Sequence, residues 1–293
     1  MKKNLINISD LSKNDFYTIL DYSDILNSHL DNCLKNKNIG LIFEKNSTRT
    51  RLSFQVGINQ LQGNFVDIRL EDLNLNRFES FEDTFEVMAC YLDCLVIRTT
   101  DHKKLELAKK FFKKPIINAL SDLSHPCQAI SDIFTIKEYF GRLNDINILW
   151  MGDINNVLIS LIETLDFLEN IKIDIFTDES IYRNYKKTLN KFDKIKVHFQ
   201  INNEILRAAD CIMTDVYNSM NDKNDKESLL KKFQVNKNIM SELPTNSVFM
   251  HCLPAKIDSE VTSDVIKGNQ SIVMKQAKNR MVVQRGILKW LEI

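Results

Sequence analysis

Residues 47–51 read Ser-Thr-Arg-Thr-Arg and follow the apolar run 39–43. Three hydroxyls and two guanidiniums therefore sit where a strand hands over to a helix, and their chemistry is that of an anion site built without glycine. A helix start offers unpaired backbone N–H groups and the positive end of the helix dipole. Serine and threonine add donors, and arginine adds a planar fork matched to phosphate oxygens. The competing reading is a plain N-cap followed by two solvated arginines, and Ser47 or Thr48 caps the helix in either case.

Stepping along the chain, apolar runs alternate with helical periodicity. Strands are expected at 39–43, 65–68, 94–97, 115–118, 146–151, 171–176, 197–199, 211–213 and 248–250. Helices are expected from Ser9, as cap, to about Leu30, then at 48–61, 79–91, 101–112 and 126–140, after Gly152-Asp153 through Phe167, and at 276–291. Such alternation predicts an α/β protein of two doubly wound parallel-sheet domains. The boundary falls near 141–145, dividing the chain into 1–143 and 144–275 with a last helix at 276–293. Six polar clusters follow six of the strands: 47–51, 98–100, 125–128, 153–156, 215–220 and 251–254. Ligands of open α/β sheets bind at the carboxyl ends of strands, so the clusters predict one active site between the two domains.

Composition narrows the chemistry. The chain has 293 residues, 44% of them hydrophobic, and its 39 basic side chains balance 39 acidic ones. A general nucleic-acid surface needs a basic excess, so any anion site must be a local cluster and no nucleic-acid partner is expected. No stretch approaches the roughly 20 apolar residues of a membrane span, and no signal peptide is recognisable, so a cytoplasmic protein is expected. The six cysteines at 33, 90, 94, 127, 211 and 252 lack zinc-ligand spacing, and Cys90 and Cys94 read as buried filler rather than metal ligands. The seven glycines are never closer than six residues (57 and 63), which removes dinucleotide and nucleoside-triphosphate loops.

The motifs taken together resemble the aspartate/ornithine carbamoyltransferase family. They are Phe43-Glu-Lys-Asn-Ser-Thr-Arg-Thr-Arg51, His125-Pro-Cys-Gln128, Met151-Gly-Asp-Ile-Asn-Asn156, Asp215-Val-Tyr-Asn-Ser-Met220, His251-Cys-Leu-Pro-Ala255 and Ala277-Lys-Asn-Arg280. His-Cys-Leu-Pro and Asp-x-x-x-Ser-Met look like the ornithine branch. The resemblance implies carbamoyl transfer from carbamoyl phosphate to L-ornithine without cofactor, metal or covalent intermediate, in a homotrimer whose last helix packs back on the first domain. It implies that Ser47, Thr48, Arg49 and Thr50 bind the phosphate and that Arg98 bridges phosphate and carbonyl oxygen. His125 would donate to that oxygen, Gln128 accept from the carbamoyl nitrogen, and Arg280 close the other side. Asp215 and Cys252 would flank the attacking amine. Asn156, Asp215, Ser219 and the Met220 backbone would meet the α-amino and α-carboxylate groups. Leu253 would offer its carbonyl through a cis bond to Pro254.

Three positions depart from the family pattern. Asn221 stands where glycine usually follows Ser-Met, and Ile154 stands where glycine is common. Asn74 stands where a longer Gln, or His, reaches carbamoyl phosphate in the neighbouring subunit, so a weaker or water-mediated contact is expected there. Two alternatives stay open on the sequence: the same chemistry on another amine, such as putrescine or an N-acylated ornithine, and a non-catalytic relative that binds metabolites.

Overall fold

In a computed structural model the described residues are 3–69, 71, 73, 79–218 and 225–293. The chain divides into two compact units, Met1–Phe134 with Lys278–Ile293, and Thr135–Ala277. The first unit carries α1 (Lys13–Ser28), β1 (Asn38–Phe43), α2 (Thr48–Gln60), β2 (Asn64–Ile68) and α3 (Phe81–Tyr91). It continues through β3 (Cys94–Arg98), α4 (Lys103–Phe111), β4 (Ile116–Leu120) and most of α5 (Pro126–Phe140). Its four strands are all parallel, in the order β2-β1-β3-β4.

The second unit is built from β5 (Ile146–Met151), α6 (Asn156–Thr164), β6 (Ile171–Phe176), α7 (Glu179–Leu189) and β7 (Ile195–His198). Then follow α8 (Asn203–Arg207), β8 (Cys211–Thr214), α9 (Glu227–Leu230), α10 (Lys237–Glu242), β9 (Val248–His251), α11 (Ser263–Ile266) and the start of α12 (Val273–Trp290). Its five strands are parallel in the order β7-β6-β5-β8-β9. The expected α/β class with two parallel sheets is what the chain adopts. Parallel strands covered on both faces read as continuous apolar runs, and 39–43 and 148–151 are buried throughout.

Strand order decides where each sheet opens. β1 and β3 are neighbours, yet the chain leaves β1 toward β2 and leaves β3 toward β4. Right-handed crossovers then put α2 on one face of the sheet and α3 with α4 on the other. Consistent with this, Phe85, Met88 and Leu92 of the α3 region pack with Leu105, Ala108 and Phe112 of the α4 region in one buried cluster over Ile42, Leu95 and Ile97. The carboxyl ends of β1 and β3 are left between diverging crossovers. In the second unit the reversal falls between β5 and β8 by the same logic.

Helix starts follow local chemistry, with corrections to the sequence reading. Ser9 lies inside a single 3-10 turn, Ile8–Asp10. The cap of α1 is Ser12, whose hydroxyl accepts from the Asp15 N–H while the Asp15 carboxylate accepts from the Ser12 N–H. This reciprocal pair satisfies two orphan donors of the first turn, and Ser9 has no such partner three residues on. Cys90, expected to be buried, is exposed on α3, because the buried side of that helix is taken by Thr84, Phe85 and Met88. The last helix begins at Val273, three residues earlier than its periodicity suggested. α7 and the short helices α8–α11 were not anticipated, since their apolar content is too low or their length too short for a periodic signal.

The end of α12 belongs to the first unit and packs on α1 and α2. Trp290 Nε1 donates to Asp15 Oδ1 at 2.8 Å, and Arg285 Nη1 donates to Gln60 Oε1 at 2.7 Å. At Gly286 the helices approach so closely that a Cβ would lie 2.3 Å from Ser23 Oγ and 2.8 Å from the Ile19 carbonyl oxygen. Gly286→Ala is therefore expected to destabilise the first unit by about 1–3 kcal/mol through overpacking. Thermal unfolding of the purified variant checks this, and an unchanged midpoint would contradict the close contact of α1 with α12.

Candidate active site

The start of α2 is an N-terminus whose cap residue looks elsewhere. Ser47 occupies the cap position with extended backbone (φ −150°), but its side chain makes no capping bond. Its hydroxyl accepts instead from Arg98 Nη1 at 3.0 Å. The amides of the first turn of α2 thus keep their donors and the dipole keeps its positive end. Thr50 is buried and its hydroxyl accepts from Arg280 Nη2 of α12. Two guanidiniums, from the end of β3 and from α12, are in this way anchored to the two ends of the Ser47–Thr50 segment. Thr48 is exposed and Arg49 half-buried at the helix surface. Arg51 is committed away from this group: it pairs with Asp67 at 3.2 Å and lies 5.0 Å over the Phe43 ring.

The loops after β1 and β3 are tied by Glu44. Its carboxylate accepts from Thr99 Oγ1 (2.7 Å), the Thr100 N–H (3.0 Å) and Lys104 Nζ (2.6 Å). Burial pushes this carboxyl up, but the Lys104, Thr99 and Thr100 hydrogen bonds outweigh it and hold Glu44 below its ordinary value. Arg98 itself is aimed by an irregularity in the sheet: Ile97 pairs with Asn118 while Arg98 pairs with Leu120, so β4 carries one extra residue. Bulges of this kind bend a strand and redirect its side chains.

His125 precedes α5 and is buried (3% exposed). Burial first, then the charges of Arg280 and Arg98, hold it well below its ordinary value of 6.5, so the ring is neutral at neutral pH. A neutral imidazole can donate from one nitrogen without bringing a charge. The loop leading to it is braced by Asn118, whose Nδ2 donates to the Ile6 carbonyl (2.9 Å) and the Ser124 carbonyl (3.2 Å). Ser121 Oγ accepts from the Ser124 N–H (3.1 Å) and meets His102 Nδ1 at 2.8 Å. One turn into α5, Gln128 is fully buried, while the neighbouring Cys127 thiol is pushed up to about 12 by burial and stays protonated.

The second unit gathers a different set at its own strand ends. Gly152 follows β5 at φ +125°, and a Cβ there would lie 3.0 Å from the Tyr217 ring, so only glycine suits this turn. The neighbouring Ile154 is fully buried and is not among the residues with positive φ, which is why a branched side chain is tolerated where the family often has glycine. Asn155 caps α6, accepting from the Val157 and Leu158 N–H groups at 3.1 Å each. Its Nδ2 donates to Asp215 Oδ2 at 2.8 Å, beyond the end of β8. The other Asp215 oxygen accepts from Cys252 Sγ at 3.1 Å.

Cys252 sits in a turn that is rigidly specified. Leu253 has φ 59° and its bond to Pro254 is cis, as the resemblance implied. The Leu253 N–H donates to His251 Nδ1 at 2.9 Å. Nε2 of His251 therefore carries the ring hydrogen and donates to Glu260 Oε1 at 3.1 Å, both groups being fully buried. Glu260 Oε1 also accepts from the Lys256 N–H at 2.6 Å. Ligand atoms of Asp215, His251 and Cys252 lie within 4.8 Å of one another. Both His251 nitrogens are already engaged, so a cation there would have to displace existing hydrogen bonds.

Of the residues singled out on the sequence, the first unit joins Ser47 to Arg98 and Thr50 to Arg280, and the second joins Asp215 to Cys252. Asn156 is the first residue of α6, half-buried, next to the cap that contacts Asp215. Asn74, Ser219, Met220 and Asn221 lie outside the described residues. Asn155, Glu260 and Glu44 escaped sequence reasoning. Only Asn155 carried a local signal, being an asparagine just ahead of an apolar helical run.

The electrostatics of His125 have a measurable consequence. A histidine neutral when folded and protonated when unfolded costs stability as pH falls below its ordinary value of 6.5, since the unfolded chain binds the extra proton. The ring ¹⁵N shifts of His125 should stay those of a neutral imidazole well below that pH. His125→Gln should lose less stability on acidification than the parent protein. A titration of the ring near its ordinary value would contradict this reading.

Comparison with known proteins places the chain in a family. The description "Aspartate/ornithine carbamoyltransferase, carbamoyl-P binding domain" matches residues 3–138, and "Aspartate/ornithine carbamoyltransferase, Asp/Orn binding domain" matches 144–291. The chain is 39% identical to the ornithine carbamoyltransferase of Methanosphaera stadtmanae, covering 98% of each chain. It is 35% identical to that of Rhizobium meliloti, covering 99% of this chain and 98% of the other. The solved ornithine carbamoyltransferase of Pyrococcus furiosus superposes with a TM-score of 0.87 at 32% identity, over 98% of this chain and 96% of that one. That of Thermus thermophilus gives 0.88 at 28% identity over the full length of both. With matching domains across nearly the whole sequence, the chain is an enzyme of the aspartate/ornithine carbamoyltransferase family.

Proposed function

We propose that the protein transfers the carbamoyl group of carbamoyl phosphate to the δ-amino group of L-ornithine, forming L-citrulline and phosphate in arginine metabolism. The observation that carries this reading is the start of α2, where the cap side chain is bound by Arg98 and the helix amides keep their donors. A phosphate dianion suits that position. Ser47, Thr48, Arg49 and Thr50 hold the phosphate, and Arg98 spans phosphate and carbonyl oxygen. Arg280, tied to Thr50, closes the ligand's other side. Gln128 accepts from the carbamoyl nitrogen.

In the reaction the neutral δ-nitrogen attacks the carbamoyl carbon. An N–C bond forms and the carbonyl oxygen takes up negative charge. The carbonyl re-forms as the C–O bond to phosphate breaks, phosphate leaves with the electron pair, and the nitrogen gives up one proton to that departing phosphate. His125 donates to the oxyanion, and Arg98 adds its charge to the same oxygen. Donors placed in advance where charge develops supply most of the rate in such chemistry. The amine must first be deprotonated, which at pH 7 costs about 5 kcal/mol for a group with a solution pKa of roughly 10.4. The site offsets this by desolvation and by orienting the amine.

For the amino-acid substrate we assign Asp215, with both carboxylate oxygens held by Asn155 and Cys252, to the α-ammonium group and, together with Cys252, to orienting the δ-amine. Asn156, Ser219 and the backbone at Met220 take the α-amino and α-carboxylate groups, and Leu253 offers its carbonyl. The name ornithine carbamoyltransferase, carried by the relatives from Methanosphaera stadtmanae and Rhizobium meliloti, supports ornithine over aspartate. No cofactor is needed, because the phosphoanhydride-like C–O bond already activates the carbon. We further propose a homotrimer, with Asn74 of one subunit reaching carbamoyl phosphate held by the next. Among the described residues no helix is long and apolar enough to cross a membrane. All six cysteines are free, which suits a reducing compartment such as the cytoplasm.

The test is product formation from carbamoyl phosphate with ornithine, putrescine and N-acetylornithine side by side. Citrulline from ornithine should dominate; a preferred amine without an α-carboxylate would sink the substrate assignment. Arg49→Ala should lose carbamoyl-phosphate binding. His125→Ala should lower kcat by about 10²–10³ with little effect on phosphate binding, the usual cost of removing an oxyanion donor.

A further inference from the structure

Gln128 and Asp132 are one turn apart on α5, so their side chains share a face of the helix. Both are fully buried, with 0% exposure. Gln128 Nε2 donates to Asp132 Oδ1 at 2.7 Å, whereas Gln128 Oε1 is buried without a hydrogen-bond partner. A side-chain amide has donors at one end and an acceptor at the other, and an ionised carboxylate only accepts. Here Asp132 Oδ1 holds the NH₂ end of Gln128 and leaves its carbonyl end turned away. That selects one of the two orientations an amide of this shape can take. A buried carbonyl oxygen lacking a partner is unfavourable, and a ligand N–H would satisfy it.

We propose that Asp132 is a positioning residue that locks the Gln128 amide with Oε1 toward the acyl group, and so makes the enzyme select an acyl phosphate bearing an N–H. The inference rests on the carbamoyl-phosphate reading of the first unit. Acetyl phosphate has the same phosphate and carbonyl, but a methyl group replaces the amino group. It can satisfy every anion contact and cannot donate to Gln128. A site built to bond a substrate N–H discriminates against the analogue lacking it, because the site's own polar group is then left unpaired.

The experiment measures binding of carbamoyl phosphate and of acetyl phosphate to the full-length protein and takes the ratio of the two affinities. In the parent the ratio favours carbamoyl phosphate. Asp132→Leu removes the acceptor, and the ratio should fall about tenfold, the scale of one buried hydrogen bond. Acetyl-phosphate affinity should change less than about twofold, which a general loosening of the site would not produce. Gln128→Ala should lower the ratio similarly, and the Gln128→Ala/Asp132→Leu double variant should be no worse than Gln128→Ala alone. Asp132→Asn keeps the shape and one acceptor oxygen, yet its NH₂ lets Gln128 turn over; a fall of roughly threefold is expected, and this variant decides the matter if Asp132→Leu does not fold. An unchanged ratio, or losses that multiply in the double variant, would overturn the assignment. A parent protein that binds neither acyl phosphate would instead overturn the carbamoyl-phosphate reading, and this inference with it.

Discussion

The feature on which everything else depends is the reversal of crossover direction in each parallel sheet. Adjacent strands β1 and β3 send the chain to opposite sides, and so do β5 and β8. Helices cannot cover both strand ends at such a point, because right-handed connections force them onto opposite faces. Backbone groups and polar side chains there need not be buried against apolar neighbours. Ser47 and Arg98 stand beyond one such pair, and Asn155 and Asp215 beyond the other. A different strand order with the same strands would have scattered these four residues.

Charge is managed locally, since the chain as a whole is neutral. The first unit concentrates Arg98, Arg280 and a helix start, then excludes a further cation by keeping His125 neutral through burial and through those same guanidiniums. Glu44 is the counterweight nearby, but it faces Lys104 and the loop after β3, which spares the arginines from neutralisation. Asp67, by contrast, pairs directly with Arg51 and takes that guanidinium out of the cluster. In the second unit the logic is orientation more than charge. His251 and Glu260 form a dry hydrogen-bonded chain to the Leu253 and Lys256 backbone, so that Cys252 presents its thiol to Asp215. Hydrogen bonds are stronger in such a low-dielectric interior and fix the orientation of the groups they join, here through Oε1 of Glu260.

The strands, the principal helices and the polar clusters at strand ends were legible in the sequence because each depends on residues close together in the chain. Strand 146–151 and strand 171–176 were bounded correctly by apolar runs alone. Failures arose where two local solutions compete. Ser9 and Ser12 are both plausible caps, and only Ser12 has an acidic residue three positions on. Ser47 is in the cap position, yet a partner 51 residues away takes its hydroxyl.

What the sequence determined by itself is therefore the alternation of elements, the chemical inventory of each strand end, and through motif order the family. Tertiary structure decided which members of that inventory meet. Asn155 reaches Asp215 across 60 positions, and Arg280 reaches Thr50 across 230. The tautomer of His251 and the direction of the Gln128 amide follow from bonds to Leu253 and Asp132. Periodicity and propensity report the backbone's own preferences, which act over a few residues. Hydrogen bonds between distant segments exist only once the sheets have brought strand ends together, and no local pattern encodes their pairing.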